Sequence, residues 1–352
     1  MANKLLLHVS ISVLILVSSL SWSAQQPRTM SAHRDSVRVY YDMVHKAEMA
    51  IVDSNYKLAL DCYKKAEQYK QFNCEDLYNA GIVAYLSKDT TAAIEYLNRL
   101  AINGLKKKNF EGNNWGRTIK DSSFYKYISR SYDSCLLVGS RSVKPIYSQQ
   151  LKSFYAHDQK VRRNGTAGNS ASIADAENRS VIAAFIEKEG FPSFERTGFY
   201  DTMRFLESPG SFYYIWWHSR PQVTILDTLA LNAVLNGEFP PDDYAELIDQ
   251  RILPGMSGSI YKTNFSTASM SKALYNVEQE TSAHQTIDPK TTDSIRNTIY
   301  LEPLEEYMKK LIFRDKDNRF LIVNLTSYGL HKFSQKLEMI NNKRTNKGRK
   351  GK

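Results

Sequence analysis

The stretch YIWWHSR, residues 214–220, sets one of the chain's seven histidines beside two of its four tryptophans. His218 follows Phe212, Tyr213, Tyr214, Ile215, Trp216 and Trp217, a run too apolar to lie exposed along its whole length. The imidazole therefore stands where a buried segment meets the polar Ser219 and Arg220. A histidine so placed could act as base or acid in a pocket walled by indole rings, because low-dielectric walls move its pKa within the useful range. It could equally be a core histidine satisfied by a backbone carbonyl or by the carboxylate of Asp249. If a site forms, the expected catalytic groups are His218, Asp249 and Tyr261, with Arg251, Asn264 and Trp217 as binding residues. Asp249 would orient the imidazole, and Arg251 would hold a carboxylate or phosphate in a bidentate fork. Tyr261 and Asn264 lie three apart, so on a strand they point to opposite faces and only one lines a pocket. Asp158 and Arg296 would support the site from behind; the alternative for both is an ion pair on a helix surface or between domains.

Other chemistries lack their residues. The chain has no GxGxxG, no GxxxxGK[ST], no HExxH and no CxxC, and no two histidines have metal-ligand spacing. GMSGS (255–259) misses the nucleophile-elbow pattern at its last position. Neither a cofactor nor a metal is expected.

The elements that would carry these residues are mostly helices. VKPIYSQQLKSFYAHDQKVRR (143–163) reads as a helix opened near Pro145. ASIADAENRSVIAAFIEKEG (171–190) is amphipathic and stopped by Gly190 and Pro192. RPQVTILDTLALNAVLNG (220–237) has Pro221 near its start and Gly237 past its end. PPDDYAELIDQRIL (240–253) places acidic residues in its first turn, where the helix dipole favours them. Residues 257–266 and 271–280 read as two short strands, and 288–313 returns to helix with a break before Pro303.

The order of marks along this half resembles a bacterial family described as a domain of unknown function. Its members carry Asp-Gln, Gly-Trp-Pro, Gln-His, Asp-Arg, Tyr-Gly-Thr-Gln and a late Asp…Arg. Here these fall at Asp158-Gln159, Gly190-Phe191-Pro192, Trp217-His218, Asp249-Gln250-Arg251, Tyr261-Lys262-Thr263-Asn264, and Asp293 with Arg296, over about residues 150–312. Several hydrogen-bonding side chains depart from those marks, which implies that any chemistry the family shares is altered in this chain.

In the first half, NYKLALDCYKKA (55–66) and DTTAAIEYLNRL (89–100) align at a spacing of 34 residues, matching Ala59 with Ala93, Tyr63 with Leu97 and Ala66 with Leu100. These positions share one helical face, where a small residue lets two helices approach and a large one fills the gap. The period and pattern resemble the tetratricopeptide repeat over about 38–105. The resemblance implies a concave surface for a protein or peptide partner, or a helical spacer packed on its own second domain. Residues 121–138 supply a further helix, and 106–117, rich in Gly, Asn and Lys, read as a polar loop.

Residues 1–24 have the order of a secretory signal: Lys4, an apolar run from Leu5 to Leu20, then the small residues around Ser23 and Ala24. The expected location is thus periplasmic or extracellular, with a soluble mature chain. The formal charge is +10, and Lys343, Arg344, Lys347, Arg349, Lys350 and Lys352 concentrate it in a tail at 342–352. Anionic envelope surfaces are its natural partner, and no nucleic-acid motif accompanies it. Cys62, Cys74 and Cys135 allow at most one disulfide.

Hydrophobic residues at 42% and charged residues at 24% make this an ordinary globular chain. The expected fold is mainly α. Tetratricopeptide-like hairpins (31–140) precede a mostly helical domain with one small β-hairpin (145–341). The leading functional expectation is a non-enzymatic binding or scaffold protein of the cell envelope. The alternative is a hydrolase or transferase acting on an envelope component through His218.

Overall fold

A computed structural model of the chain describes residues 30–142, 145–163, 169–200, 210–218, 224–251 and 289–323. These residues are mainly helical, as the apolar spacing implies, and none lies in a strand. The signal-like segment, the expected strands at 257–280 and the basic tail lie outside the described residues. Among the described residues no helix is long and apolar enough to cross a membrane.

Helix α1 (Met30–Val52) buries Val37, Tyr40, Tyr41, Val44, Ala47 and Ile51, at steps of three and four residues. Helix α2 (Tyr56–Ala66) folds back on it, and α3 (Cys74–Leu86) with α4 (Thr90–Ile102) makes a second hairpin against α2. The two hairpins turn alike. Ser54 (φ 58) and Lys88 (φ 65) both take the left-handed conformation. The next residues donate their N–H groups back, Asn55 to Ala50 O at 2.7 Å and Asp89 to Ala84 O at 3.0 Å. The side chains of Asn55 and Asp89 then cap α2 and α4 by accepting from Leu58 N (3.2 Å) and Ala92 N (3.1 Å). All three aligned pairs, Ala59/Ala93, Tyr63/Leu97 and Ala66/Leu100, are 0% exposed.

The segment expected to be a polar loop instead forms two short helices, α5 (Lys107–Gly112) and α6 (Asn114–Ile119). Phe110 and Trp115 are its anchors, both buried, with ring centroids 5.4 Å apart. Asn113 starts α6 by accepting from Gly116 N at 2.6 Å. Two isolated aromatics outweighed the polar composition because each buries a large area. Helix α7 (Ser123–Ser142) then packs on α4 so closely that a Cβ at Gly139 would lie 1.7 Å from Ile102 O, so only glycine fits.

Helices α8 (Pro145–Arg163), α9 (Asn169–Glu189) and α11 (Gly210–His218) pack on one another. The short α10 (Phe194–Thr197) runs into a 3-10 turn (Gly198–Tyr200) and rests on α8. Helix α12 (Ile225–Leu235) lies on α9, and α13 (Pro241–Arg251) on α12. An aromatic core joins them, with Phe191 4.9 Å from Phe212 and 5.3 Å from Phe239 between ring centroids.

The last helices, α14 (Pro289–Asn297) and α15 (Leu304–Lys316), return to the first half. Helix α15 packs on α1. The side-chain amide of Asn79 bonds the Leu321 backbone in both directions, at 2.8 and 2.9 Å, and Phe320 stacks on Tyr56. A segment near the chain's end thus covers apolar surface of the opening hairpins. Cys62, Cys74 and Cys135 are buried and form no disulfide. Burial raises the pKa of all three thiols, which leaves them unreactive.

Candidate functional site

Trp216 fixes the rotation of α11. Its indole N–H donates to Asp227 Oδ1 at 2.7 Å, and Asp227 Oδ2 accepts from Thr224 N at 2.6 Å at the start of α12. The indole also stacks on Tyr244 of α13, with centroids 5.7 Å apart. Two residues on, about 200° round the helix, His218 meets α8 and α9.

The partner of His218 is Asp158. The imidazole Nδ1 lies 2.9 Å from Asp158 Oδ2 and 3.0 Å from Oδ1; the carboxylate is 1% exposed and the imidazole 20%. Arg162, one turn beyond Asp158 on α8, reaches Asp158 at 3.3 Å and also pairs with Asp175 of α9. Gln159 Nε2 donates to Asp158 Oδ2 at 2.8 Å. Burial alone would raise the Asp158 carboxyl, but its hydrogen bond with His218, the His218 charge and Arg162 hold it below the usual carboxylate range. Asp175 is raised, chiefly by burial, with Arg162 opposing.

Arg162 Nε also lies 3.0 Å from His218 Nδ1. The two contacts at Nδ1 exclude each other as hydrogen bonds, because one needs a proton on Nδ1 and the other a lone pair. The buried carboxylate takes precedence: an unprotonated Nδ1 would set its lone pair against Asp158 Oδ2 at 2.9 Å, whereas Arg162 Nε–H can also reach Oδ2. Nδ1–H then faces Asp158, and Nε2 keeps its lone pair. Among the described residues Nε2 has no hydrogen-bond partner. That is the arrangement of a general base whose tautomer is set by a carboxylate.

Asp158, Asp175 and His218 also offer three donor atoms within 4.8 Å of one another, a mixed set that a divalent ion could use. The guanidinium of Arg162 already bridges the two carboxylates, and Nδ1 is engaged by Asp158. A metal would have to displace both.

The structure brings together two of the residues singled out from the sequence, His218 and Asp158. Asp249 is buried in α13 and does not orient the imidazole, whose partners are Asp158 and Arg162. Helix α13 meets α11 on the Trp216 side, whereas His218 faces α8. Trp217 is partly buried against the core. Arg251 ends α13; its side chain, Tyr261 and Asn264 lie outside what is described.

Arg296 belongs to a different cluster. It is 0% exposed, its Nε donates to Glu302 O at 2.7 Å, and its guanidinium lies 4.7 Å from the Tyr307 ring centroid. Glu302 pairs with Lys310 at 3.1 Å, and Lys310 also binds Glu48 of α1. His45 Nε2 donates to Tyr300 O at 2.8 Å, beside that lysine. Burial would raise Glu302, but Lys310, His45 and Arg296 pull it down to about 2. Asp242 is pushed up to about 7 by burial and by the charges of Glu302 and Glu48.

Arg162, Asp175 and Asp227 escaped the reading of the sequence. The run DQKVR at 158–162 does carry a signal, since Asp and Arg four apart share a helix face. Asp175 and Asp227 carry none, because their roles depend on which helices meet. No family model matches the chain, no curated protein is similar to it, and no solved structure matches it.

Proposed function

We propose that the chain is an exported acid–base enzyme, a hydrolase or transferase acting on an envelope component, with His218 as the base and Asp158 as its orienting carboxylate. The carrying observation is the pair itself: a carboxylate at 1% exposure bonded to Nδ1 of an imidazole at 20%. A buried partner sets the tautomer while the exposed edge stays open to substrate. The signal-like order of residues 1–24 supports export. That Asp158 and His218, two of the ordered marks, meet in space supports the resemblance to the bacterial domain of unknown function.

The test is turnover by the purified mature chain of ester, amide and phosphodiester model substrates and of peptidoglycan fragments. His218→Gln and Asp158→Asn are each expected to lower kcat by roughly 100-fold. Turnover that His218→Gln leaves intact, or none on any substrate, overturns the reading.

A second reading, a binding or scaffold role for the opening hairpins, is favoured by a cleft of about 570 Å³. Tyr85, Leu86, Phe124 and Tyr127 wall it, with Lys88 and Ser123 at its rim. The hairpin turns repeated at 34 residues support tetratricopeptide-like units that dock a protein or peptide. Full-length protein should capture a partner from envelope extract that Tyr127→Ala and Phe124→Ala lose. Equal capture by the variants counts against it. The basic tail would hold either activity at an anionic surface.

A further inference from the structure

A second cavity, of about 600 Å³, opens where the first-half helices meet the second half. It shares no residue with the His218 cluster. Its lining brings Lys70 and Phe72, from the turn before α3, to Glu195, Gly237 and Glu238. The volume is that of a small-molecule site, and the junction of two packed regions is where such sites form.

The charges in this cavity are opposed but not closed on each other. Lys70 Nζ donates to Gln71 O and to Asn73 Oδ1, both at 2.8 Å, and lies 4.6 Å from the Tyr40 ring centroid. An ammonium has three N–H bonds, and among the described residues no third hydrogen-bond acceptor is present. Among the described residues Lys70 makes no ion pair, and neither does Glu195; the nearest cation to Glu238 is Arg196, at 3.8 Å. Burial pulls Lys70 down to about 8, although the fields of Asp76, Glu195 and Glu238 oppose it. Burial also pushes Glu238 up, against Arg196 and helped by Glu195. Lys70 and Glu195 thus line one cavity without an ion pair among the described residues, while Glu238 keeps Arg196 at 3.8 Å.

Gly237 makes room for the Lys70 stem at the edge of that cavity. Its φ is +73, and a Cβ there would lie 2.8 Å from Lys70 Cδ and Cε. Phe72 gives an apolar wall.

We propose that this cleft binds a small zwitterion of the amino-acid type, a free amino acid or short peptide, with its carboxylate on Lys70 and its ammonium toward Glu195 and Glu238. One molecule carrying both charges satisfies both sides of the cavity at once, and the phenyl wall takes its apolar carbons. A simple anion would leave Glu195 without a cation, and a simple cation would leave Lys70 without an ion pair.

Calorimetric titration of the mature chain with L-alanine and L-alanyl-L-alanine tests this. Saturable binding of either probe at millimolar concentration is expected. N-acetylation and C-terminal amidation should each weaken it roughly tenfold or more, the worth of a charge-assisted hydrogen bond. Glu195→Gln, on an exposed side chain, should weaken the free probe and remove the discrimination against the N-acetyl form. Lys70→Met should remove the discrimination against the amide. No saturable heat with either probe overturns the proposal. So does equal affinity for end-blocked and free probes, or a Glu195→Gln variant that binds as the parent does. If Lys70→Met fails to fold, Glu195→Gln and the blocked probes still decide.

Discussion

Two clusters in this molecule use the same side-chain chemistry to opposite effect. In one, Arg296, Lys310 and Glu302 are 0%, 1% and 3% exposed, with Glu48 at 10%. In the other, Asp158 is 1% exposed, while Asp175, His218 and Arg162 are 15%, 20% and 28%. The first closes over every member and joins α1 to α15, segments far apart in the chain. The second buries the carboxylate and leaves the imidazole partly exposed. Complete burial turns ionisable groups into a tie between helices; a graded burial leaves one of them in reach of solvent.

Lys310→Met should show the largest effect. It removes the buried cation that Glu48 and Glu302 share, at about 3–5 kcal/mol of stability. Urea denaturation measures it, and a loss below about 1 kcal/mol would put the pair in the class of surface bridges and end the contrast.

Asp242→Asn comes next and works through pH. Asp242 is raised in the folded chain to about 7. A raised carboxyl favours folding while protonated, so its contribution is full below the unfolded pKa near 4 and is lost as pH rises through about 7. Glu75, at about 7, and Asp76, at about 6, are raised by burial and act in the same direction. The parent protein should therefore lose stability as pH rises from about 4 to about 7. Asp242→Asn should flatten the slope and be the more stable protein at about pH 8, by on the order of 2 kcal/mol. Thermal melts across pH test it, and an unchanged slope would detach Asp242 from the closed cluster.

Asp158→Asn should remove about 1–3 kcal/mol, the cost of a broken charged hydrogen bond in a buried place. Its sign is the reverse of Asp242. Asp158 is held low, so its stability is present above about pH 4 and fades as pH falls through its folded pKa. The Asn variant should accordingly lose part of the parent's acid transition.

His218→Gln should be the mildest in stability, below about 1 kcal/mol, because its ring edge already meets water. The same change should lower kcat by roughly 100-fold. A stability loss as large as that of Lys310→Met would make the His218 cluster a second tie.

Much of the fold was legible in residue spacing. Pro145, Gly190 and Gly237 bound helices where they were expected, and the 34-residue alignment found pairs that are buried alike. Residues 106–117 misled because Phe110 and Trp115 are isolated among Gly, Asn and Lys, and each needs a neighbour that only the fold supplies. At the site, both His218 and Asp158 stood out by residue type, but the imidazole's partner was expected to be Asp249. Both carboxylates are buried, and sequence distance does not rank them.

The sequence by itself determined the mainly helical architecture, the places where helices start and stop, and the candidacy of His218 beside its tryptophans. These follow from local causes: apolar periodicity, caps and fixed backbone angles. Tertiary structure alone decided that Asp158 and not Asp249 holds the imidazole, that Arg296 serves Glu302, and that residues 289–323 close over the opening hairpins. Such pairings depend on which helix faces meet, and that is set by packing many side chains at once, which no local spacing encodes.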